Sequence, residues 1–426
     1  MGQLGWWRSK VKWLLVALCW MPPYCMCADW PEFRGPTADG LVPHATLPTS
    51  WSPTKNVRWV TSLPGEGWSS PIVIKDDIFL TAAIPLPRTL GGQESGGYDL
   101  VLLKIDGQDG SLLEQLVLFS EPSSAPSIHQ KNSHASPTPV FDGENLYVHF
   151  GHQGTACVSL SGEVLWRNDG LSYIPVHGGG GSPVVHGQLL IFSRDGEKTA
   201  EVTALDKRTG QVVWRLPRNV EADKKFSFCT PSVFKIDGVE QLILPGSGVV
   251  QSIDPNTGTE LWRLGYDGYS VIPRPVYHAG LVFICTGYNR PSLLAIDPTG
   301  SGDVTATHLK WKNDSNIPHT PSILANEGQL VMVSDKGIAL GINALTGAEL
   351  WRTRLGGGFS ASPILSGQLA YFISEDGECS VLKIDNPPQE VAKNLLGERC
   401  LASPAVIEND LLIRTAGHLY RFTNSR

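Results

Sequence analysis

A proline recurs eight times along the chain directly before an apolar, strand-like run, and in seven cases Ser or Thr precedes it. The intervals between successive prolines are 66, 46, 48, 44, 46, 42 and 41 residues. The one departure is Arg274, before the fifth proline. A period in the forties predicts repeats that stack around one shared core. The eight prolines are Pro71, Pro137, Pro183, Pro231, Pro275, Pro321, Pro363 and Pro404.

Each repeat has four segments with the composition of β-strands. In the unit that begins at Pro183, two apolar runs at residues 184–185 and 189–192 flank a polar turn, and two further runs follow. Short β-rich runs bounded by turn residues predict antiparallel strands, and four-stranded units repeated radially form a β-propeller. The sequence therefore predicts an all-β, eight-bladed β-propeller of four-stranded antiparallel blades.

The turn before the last strand of a unit carries the sharpest motif, Ala-x-Asp-x-x-Thr-Gly-x-x-x-Trp, which begins at Ala204. Asp binds the turn backbone, and Gly supplies the positive φ that such a turn requires. We expect the Trp to stand on the outer strand and to pack against the neighbouring blade. The tryptophans assigned this structural docking role are Trp59, Trp166, Trp214, Trp262, Trp311 and Trp351.

The last unit has only three candidate strands before the chain stops, at residues 405–407, 411–413 and 419–422. We expect residues 56–60 to supply the fourth, with Trp59 in the position that Trp214 has in its own unit. Closure by an N-terminal strand removes an exposed sheet edge. Seven blades plus a cap is the alternative.

The docking motif resembles the tryptophan-docking repeat of quinoprotein β-propellers and their non-catalytic relatives, the BamB-like exported bacterial proteins. The segment DWPEFRGPTADG at residues 29–40 extends the resemblance to secreted bacterial proteins with repeats like those that bind pyrroloquinoline quinone (PQQ). The resemblance covers essentially all of the chain after residue 28. It implies the propeller fold, with or without an enzymatic activity.

Catalytic members of that family use a vicinal disulfide beneath the quinone, a Trp floor, a calcium ion held by Glu, Asn and Asp, and an Asp base. This chain has no adjacent pair of cysteines, and no acidic pair can be assigned to calcium. We therefore expect no cofactor and no metal site, and a non-catalytic scaffold that binds a protein or glycan partner. The alternative is a PQQ-dependent or sugar-active oxidoreductase, which would need PQQ with calcium.

The N-terminus has the pattern of a targeting segment. Arg8, Lys10 and Lys12 precede nine apolar residues, 13–21, too few for the roughly 20 that span a bilayer. This pattern predicts a secretory signal peptide at residues 1–28, then an N-terminal extended segment at 29–55 and the propeller at 56–426. The expected location is the periplasm or cell envelope, or outside the cell. A lipid anchor on Cys25 or Cys27 is the alternative to a free mature N-terminus.

The chain carries a net charge of −7, which becomes −10 once the three basic residues of the leader are removed. An acidic protein is a poor match for nucleic acid or an anionic membrane surface. We expect an envelope protein or glycan as partner, peripheral membrane contact at most, and a monomer.

Five cysteines follow the leader, an odd number without CxxC spacing. Export permits disulfides, and Cys379 and Cys400 are nearest in sequence. The preferred interpretation is that all five are small buried hydrophobic residues.

The loops that join the second strand to the third, and one blade to the next, emerge on the same face of a propeller. Two long insertions, at residues 82–97 and 120–132, belong to this class. Residues around a central channel mouth form a natural recognition surface. The candidate binding residues are Trp68, His134, His177, Arg274, Tyr288, Arg290, His319 and Phe359.

Several of these residues have a structural alternative. The histidines share no short metal-ligand spacing, so hydrogen bonding between loops is preferred over a metal site. The glycines at 178–181 fit tight packing better than phosphate binding, because no helix follows. Arg274 could bind an anion or form a structural ion pair. Trp68 could stack on a ligand ring or close the first blade.

Overall fold

The computed structural model describes residues 1–2, 29–42, 45–87, 96–124, 126–288 and 290–424. Within these ranges the chain forms eight sheets, each with four antiparallel blade strands. Strand A of a blade lies nearest the central axis and contacts strand A of a neighbouring blade, and strands B, C and D follow outwards. The chain is therefore an eight-bladed β-propeller, as the spacing of the prolines predicts.

The first four blades follow one another along the chain, each with its strands in the order A to D. Blades 1 and 2 contain Ile72–Ile74, Asp77–Pro85, Gly97–Asp106 and Leu112–Pro122, then Val140–Phe141, Asn145–His149, Thr155–Ser159 and Val164–Asn168. Blades 3 and 4 contain Val184–His186, Leu189–Asp195, Ala200–Asp206 and Val212–Pro217, then Ser232–Ile236, Val239–Gly246, Val249–Ile253 and Glu260–Gly265.

The other four blades keep the same strand order. Blades 5 and 6 contain Val276–His278, Leu281–Cys285, Leu293–Ile296 and Leu309–Asn313, then Leu324–Asn326, Gln329–Val333, Ile338–Asn343 and Glu349–Arg354. Blade 7 contains Ile364–Ser366, Leu369–Ile373, Glu378–Lys383 and Gln389–Leu395, and blade 8 contains Ala405–Ile407, Asp410–Arg414, His418–Phe422 and Val57–Ser62. Two short strands extend blades in parallel, Leu41–Val42 on blade 7 and Gly302–Asp303 on blade 4. A 3-10 helix occupies Gly151–Gln153.

The ring is closed by the N-terminal strand. Val57–Ser62 pairs antiparallel with His418–Phe422 and supplies strand D of blade 8. This confirms the predicted closure and the count of eight blades. Because the ring is complete, the outermost strand of blade 8 is joined to its sheet rather than left as an open end of the chain.

A belt of hydroxyl groups around the axis includes the Ser or Thr of five of the seven repeated Ser/Thr-Pro pairs, and in blades 2 and 6 the belt residue, Thr138 or Ser322, follows the repeat proline. The backbone N–H of one inner strand donates to the hydroxyl of the next blade, as from Ser70 to Thr138 at 2.9 Å. Because proline has no N–H, these side-chain bonds link the strand starts where backbone pairing is lost. This hydroxyl belt consists of Ser70, Thr138, Ser182, Thr230, Ser322, Ser362 and Ser403.

Four of the six docking tryptophans bind the next blade directly. Trp214 Nε1 donates to the Pro255 carbonyl of the next C–D turn at 3.1 Å, and Trp59, Trp166 and Trp311 make equivalent bonds of 2.8–3.1 Å. The indole ring lies over the glycine of that turn: a Cβ on Gly258 would lie 2.6 Å from Trp214 Cδ2. The Trp and Gly of the motif thus fit each other across blades.

Trp262 and Trp351 pack against the next blade as predicted but make their hydrogen bonds within their own blade. Trp262 Nε1 donates to Gln241 Oε1 at 2.9 Å, and Trp351 Nε1 donates to Gln329 Oε1 at 3.2 Å. The C–D turn of blade 7 has no Thr-Gly pair, and in blade 5 Thr299-Gly300 begins a longer connection between strands C and D. In both places a Gln on strand B of the tryptophan's own blade accepts the indole N–H instead of a carbonyl of the next blade.

The N-terminal segment crosses the axis of the propeller. Trp30 pairs with Val73 of blade 1, and the Pro31 carbonyl accepts from Phe141 of blade 2. Further along, Arg34 donates to the Ile323 carbonyl before blade 6 at 2.7 Å. The Gly40 carbonyl then accepts from Leu365 of blade 7 at 2.9 Å. Contacts with blades on opposite sides of the ring mean that this segment closes one end of the channel.

All five cysteines in the described residues are free and buried, in agreement with their prediction as small hydrophobic residues, so Cys379 and Cys400 are not bridged. Residues 3–28, which hold most of the predicted signal peptide and the candidate lipid-anchor cysteines, lie outside the described residues. Among the residues that are described, no helix is long and apolar enough to cross a membrane.

Candidate binding site

The channel opens into a cavity of about 560 Å³ on one face of the propeller. We call this the mouth face: it carries the loops between blades, with Trp68 and His177, and the B–C loops, with Tyr288 and Asp335. The C–D turns lie on the opposite face. The volume falls within the roughly 300–1,000 Å³ of small-molecule sites.

The floor of the cavity comes from the N-terminal segment. Phe33 lines the cavity, and its carbonyl accepts from Arg274 Nη1 at 2.6 Å. Arg274 Nη2 lies 2.8 Å from a Glu32 carboxylate oxygen. Arg274 therefore anchors the segment that blocks the channel, and the cavity is blind. This is the structural ion pair that the sequence left open as one of two roles.

An arc of rings forms one side of the cavity. Neighbouring ring centroids lie 5.2–5.7 Å apart, mostly with edge-to-face geometry. Such spacing is favourable for aromatic pairs, so the arc is a continuous apolar wall. The aromatic arc consists of His129, His177, Phe226, Tyr269, Tyr288 and His319.

The two cavity histidines with shifted pKa values favour the neutral form. Burial lowers the pKa of His177, and the nearby His129 and Lys224 lower it further. Burial also lowers the pKa of His319, against the opposing effect of Asp335. Both imidazoles thus present neutral rings at pH 7.

Hydroxyl groups form much of the remaining wall. All members of the hydroxyl belt except Thr230 line the cavity, together with Ser136 and Ser360. Ser182, Ser322, Ser362 and Ser403 each accept a backbone N–H and donate to no other group within the described residues. Since a hydroxyl can both donate and accept, these four retain a hydrogen for a ligand.

A loop at residues 126–132 reaches across the mouth. His129 N–H donates to the His177 carbonyl before blade 3 at 3.2 Å. Lys131 Nζ lies 2.7 Å from Glu375 of blade 7, and Arg399 donates to the Gln130 carbonyl at 2.8 Å. This loop belongs to the predicted insertion 120–132. The tip of the other insertion, residues 88–95, lies outside the described residues, and its flanks extend strands B and C of blade 1.

Four predicted site residues, Trp68, His177, Tyr288 and His319, line the cavity together. Trp68 is half-buried, and the Arg399 guanidinium carbon lies 5.7 Å from its ring centroid. Trp68 therefore lines the cavity while its ring contacts Arg399, and stacking on a ligand ring stays a prediction.

The other four lie elsewhere. Phe359 is only 1% exposed and packs in the apolar core between blades 6 and 7, so the expectation that it faces a ligand is wrong. Arg274 is buried under the cavity floor. Arg290 is exposed in an adjacent groove beside Asp267 and Lys312, which shares Tyr269 and Tyr288 with the cavity but not Arg290. An aromatic or basic residue next to an inner strand does not by itself reveal its direction.

His134 belongs to a buried acid–base cluster outside the cavity. Glu121 Oε2 lies 2.7 Å from His134 Nδ1, and Glu121 Oε1 lies 3.1 Å from His152 Nε2. Burial raises the pKa of Glu121, but the hydrogen bonds and charges of the two histidines outweigh it and lower that pKa to about 2. The cluster ties strand D of blade 1 to the loop that holds His134 and to the 3-10 helix of blade 2, in line with the structural alternative for the histidine.

Several cavity residues do not stand out in the sequence. Phe226 and Tyr269 escape sequence reasoning, although they precede inner strands at nearly the same relative place as His177. The Ser/Thr-Pro pairs mark the period of the repeat, and in the structure the Ser or Thr of every pair except Thr230 also lines the cavity. The repeat position is thus the available signal for which loops reach the mouth, but it does not fix the direction of each side chain, as Phe359 shows.

The residues present do not fit the PQQ and calcium site that the resemblance implies. Asp335 is the acidic residue among those that line the cavity. Its two carboxylate oxygens already accept from the His319 and Thr320 N–H groups and the Thr320 hydroxyl. Within the described ranges, no group of three or more His, Cys, Asp or Glu residues could hold a metal ion. The sequence also has no vicinal cysteine pair.

The repeat, the cross-blade Trp–Gly contacts and the central cavity together define a propeller of the quinoprotein-like class. A family model described as outer membrane protein assembly factor BamB matches residues 92–216, 128–326 and 246–387. Because these matches span most of the chain, it belongs to this family. A comparison with curated protein sequences found no match.

Solved structures share the fold. BamB from Moraxella catarrhalis is 14% identical with a TM-score of 0.57, and the match covers 86% of this chain and 98% of that chain. A europium-containing methanol dehydrogenase is 10% identical with a TM-score of 0.65, covering 93% and 98%. Quinohemoprotein alcohol dehydrogenase from Comamonas testosteroni is 11% identical with a TM-score of 0.54, covering 94% and 81%. At these identities the similarity shows the fold alone.

Proposed function

We propose that the protein is an exported, non-catalytic propeller of the cell envelope that binds a protein or glycan partner at its mouth face. The observation that carries this proposal is the blind cavity lined by the aromatic arc and the hydroxyl belt. Concave sites that combine apolar rings with a few converging polar groups are typical of binding surfaces. Membership of the family of an outer-membrane assembly factor supports a location in the envelope.

The contacts within the site favour binding over catalysis. The Asp335 carboxylate accepts hydrogen bonds from three donors, which are the His319 N–H, the Thr320 N–H and the Thr320 hydroxyl. Lys131 is paired with Glu375 at 2.7 Å. Groups committed to such bonds stabilise loops and are poor general acids or bases, which need a free proton site beside the substrate.

A pull-down of envelope extracts tests the proposal. The double variant Trp68→Ala/Tyr288→Ala removes two cavity rings, and Tyr288 is 51% exposed, so little core packing is lost with it. Leu345→Ala is the matched control, because Leu345 is 62% exposed on a C–D turn of the opposite face. We expect the double variant to lose its partners and the control to keep them. If circular dichroism shows both proteins folded, and the control loses its partners while the double variant keeps them, the mouth face is not the binding face.

A PQQ-dependent or sugar-active oxidoreductase is the second candidate, because similar folds occur in a methanol dehydrogenase and an alcohol dehydrogenase. PQQ would supply a quinone that accepts electrons from an alcohol. The test is purified mature protein reconstituted with PQQ and either calcium or europium, assayed with an artificial electron acceptor. We expect no turnover. Turnover that depends on added PQQ would make the oxidoreductase the first candidate.

A further inference from the structure

We propose that the blind cavity binds one end of a neutral oligosaccharide chain. The proposal rests on the proposed function, since it assumes that the mouth face is the binding face, and it names the class of ligand there. Three features carry it: the split between ring and hydroxyl walls, the pairing of the charges, and the closed floor.

The two walls match the two kinds of surface that a sugar presents. A pyranose ring has C–H faces, which pack against aromatic rings, and a rim of hydroxyls, which needs hydrogen-bonding partners. The aromatic arc supplies the first through Phe226, Tyr269 and Tyr288. The four belt hydroxyls with a spare hydrogen supply the second. A purely apolar ligand would leave such buried hydroxyls unpaired, at a cost of about 1–3 kcal/mol each.

The charged groups around the cavity have partners in the protein. Asp335 accepts from three donors, and Lys131 pairs with Glu375. Lys224 Nζ donates to the Tyr269 hydroxyl at 3.0 Å and lies 4.4 Å from a Tyr269 ring centroid. A charged ligand that binds Asp335 or Lys131 would have to compete with these contacts, whereas a neutral ligand keeps them. The neutral forms of His177 and His319 agree with this preference.

The closed floor determines which part of a glycan can enter. Phe33 and the Arg274–Glu32 pair block the axis below the cavity, so a chain cannot thread through the ring. The loop at 126–132 crosses the mouth from blade 3 to blade 7, which also hinders a strand lying flat across the opening. The end of a sugar chain can enter a cavity with a closed floor and a partly covered mouth, whereas the middle of a polymer cannot.

Isothermal titration calorimetry with the full mature chain tests the proposal. The probes are neutral linear hexasaccharides of glucose in α- and β-linkage, and of mannose, xylose and N-acetylglucosamine, with a hexagalacturonate as the acidic comparison. We expect the wild type to bind at least one neutral hexasaccharide. Tyr288→Ala should raise the dissociation constant for that sugar about tenfold or more, which corresponds to roughly 1.4 kcal/mol of binding free energy. Leu345→Ala should bind like the wild type.

A second titration tests end recognition. A much longer polymer of the same sugar should bind in proportion to its number of chain ends. For an α-glucan, cyclic α-cyclodextrin, which has no end, should bind far more weakly than maltohexaose. Binding in proportion to sugar units, or equal binding of the cyclic sugar, would overturn recognition of ends.

The remaining outcomes separate this inference from the proposed function. Tighter binding of hexagalacturonate, no binding of any neutral member, or unchanged binding by Tyr288→Ala would overturn the inference. If in those cases Trp68→Ala/Tyr288→Ala still loses protein partners in the pull-down, the mouth face remains the binding face and the partner is a protein. If the pull-down is also unchanged, both proposals fail.

Discussion

At the scale of single residues, Gly258 is subject to two separate constraints. Its φ of 73° is a conformation that residues with a Cβ avoid. In addition, the Trp214 ring of the preceding blade fills the place of a Cβ, with Cδ2 at 2.6 Å. The first constraint could be predicted from the Thr-Gly turn itself. The second depends on a residue 44 positions away, which only the stacking of blades brings close.

A pair of glycine variants separates these two effects. Gly238 also has a positive φ, of 86°, but a Cβ there would meet nothing within 4 Å. We expect Gly238→Ala to lower the free energy of unfolding by about 1 kcal/mol for backbone strain alone. Gly258→Ala should cost about 1–3 kcal/mol more, because it also displaces the indole.

Urea denaturation of the two variants measures this difference. Adding Trp214→Ala to Gly258→Ala should restore part of the extra loss, since the clash disappears with the ring. Equal losses in the two glycine variants would mean that the turn, and not the cross-blade contact, accounts for this glycine.

His149 should make the protein sensitive to mild acid. Burial, with the charges of His152 and Arg194, lowers the pKa of His149 to about 3, and its Nδ1 lies 2.8 Å from Thr155 Oγ1. Because the folded-state pKa lies below the ordinary value of 6.5, the unfolded state binds more protons as the pH falls. Stability is therefore lost between about pH 6.5 and pH 3, by roughly 2 kcal/mol at pH 5 relative to pH 7.

The measurement is the free energy of unfolding at both pH values for wild type and His149→Gln. The variant should lose stability at pH 7 but show a smaller decrease on going to pH 5. Glu121 affects the pH dependence only at lower pH. Its pKa is lowered from 4.5 to about 2, so the stability that it contributes is lost as the pH falls from about 4.5 to about 2. An equal pH dependence in both proteins would assign the acid sensitivity to other groups.

At the scale of elements, the first part of the described chain performs two closures. Residues 29–42 close the channel, and strand Val57–Ser62 closes the ring. The second was predictable, because the last unit lacked a strand and Trp59 fitted the repeat. The first was not: nothing in the composition of residues 29–40 indicates which blades they cross. Arg274, the one break in the Ser/Thr-Pro series, marked the anchoring point without revealing its partner.

Loss of the Arg274 anchor should loosen the floor of the cavity. Arg274→Ala removes the donor to the Phe33 carbonyl and the cation that lies 2.8 Å from the Glu32 carboxylate. We expect a loss of about 3 kcal/mol, the lower end of the usual effect of breaking a buried pair, because the Glu32 side chain is 23% exposed. The exposed pair of Arg352 and Glu349 provides the control, and Arg352→Ala should cost about 1 kcal/mol or less.

Hydrogen exchange followed by mass spectrometry locates the effect. In Arg274→Ala, amides of residues 29–42 should exchange faster than in the wild type, while those of blades 1–3 change little. Unchanged protection of this segment would mean that its other contacts, such as the Trp30–Val73 bridge, suffice to hold the floor.

At the scale of the whole molecule, the repeat determined most of the architecture. Eight prolines gave eight blades, and strand alternation gave the face on which the loops emerge. The cavity was predictable as a location but only in part as a set of residues, since Phe359 turns into the core whereas Phe226 and Tyr269 turn to the axis. The direction of each side chain depends on the twist of its blade and on packing between neighbouring blades, and the spacing of the repeats carries no information about either.

Site-specific photo-cross-linking directly tests whether partners bind at the mouth face. A benzoylphenylalanine replaces Tyr288 at the mouth or Leu345 on the opposite face, both exposed positions, in cells that export the protein. We expect a defined cross-linked product from position 288, and none from position 345. A product from position 345 with none from position 288 would contradict it.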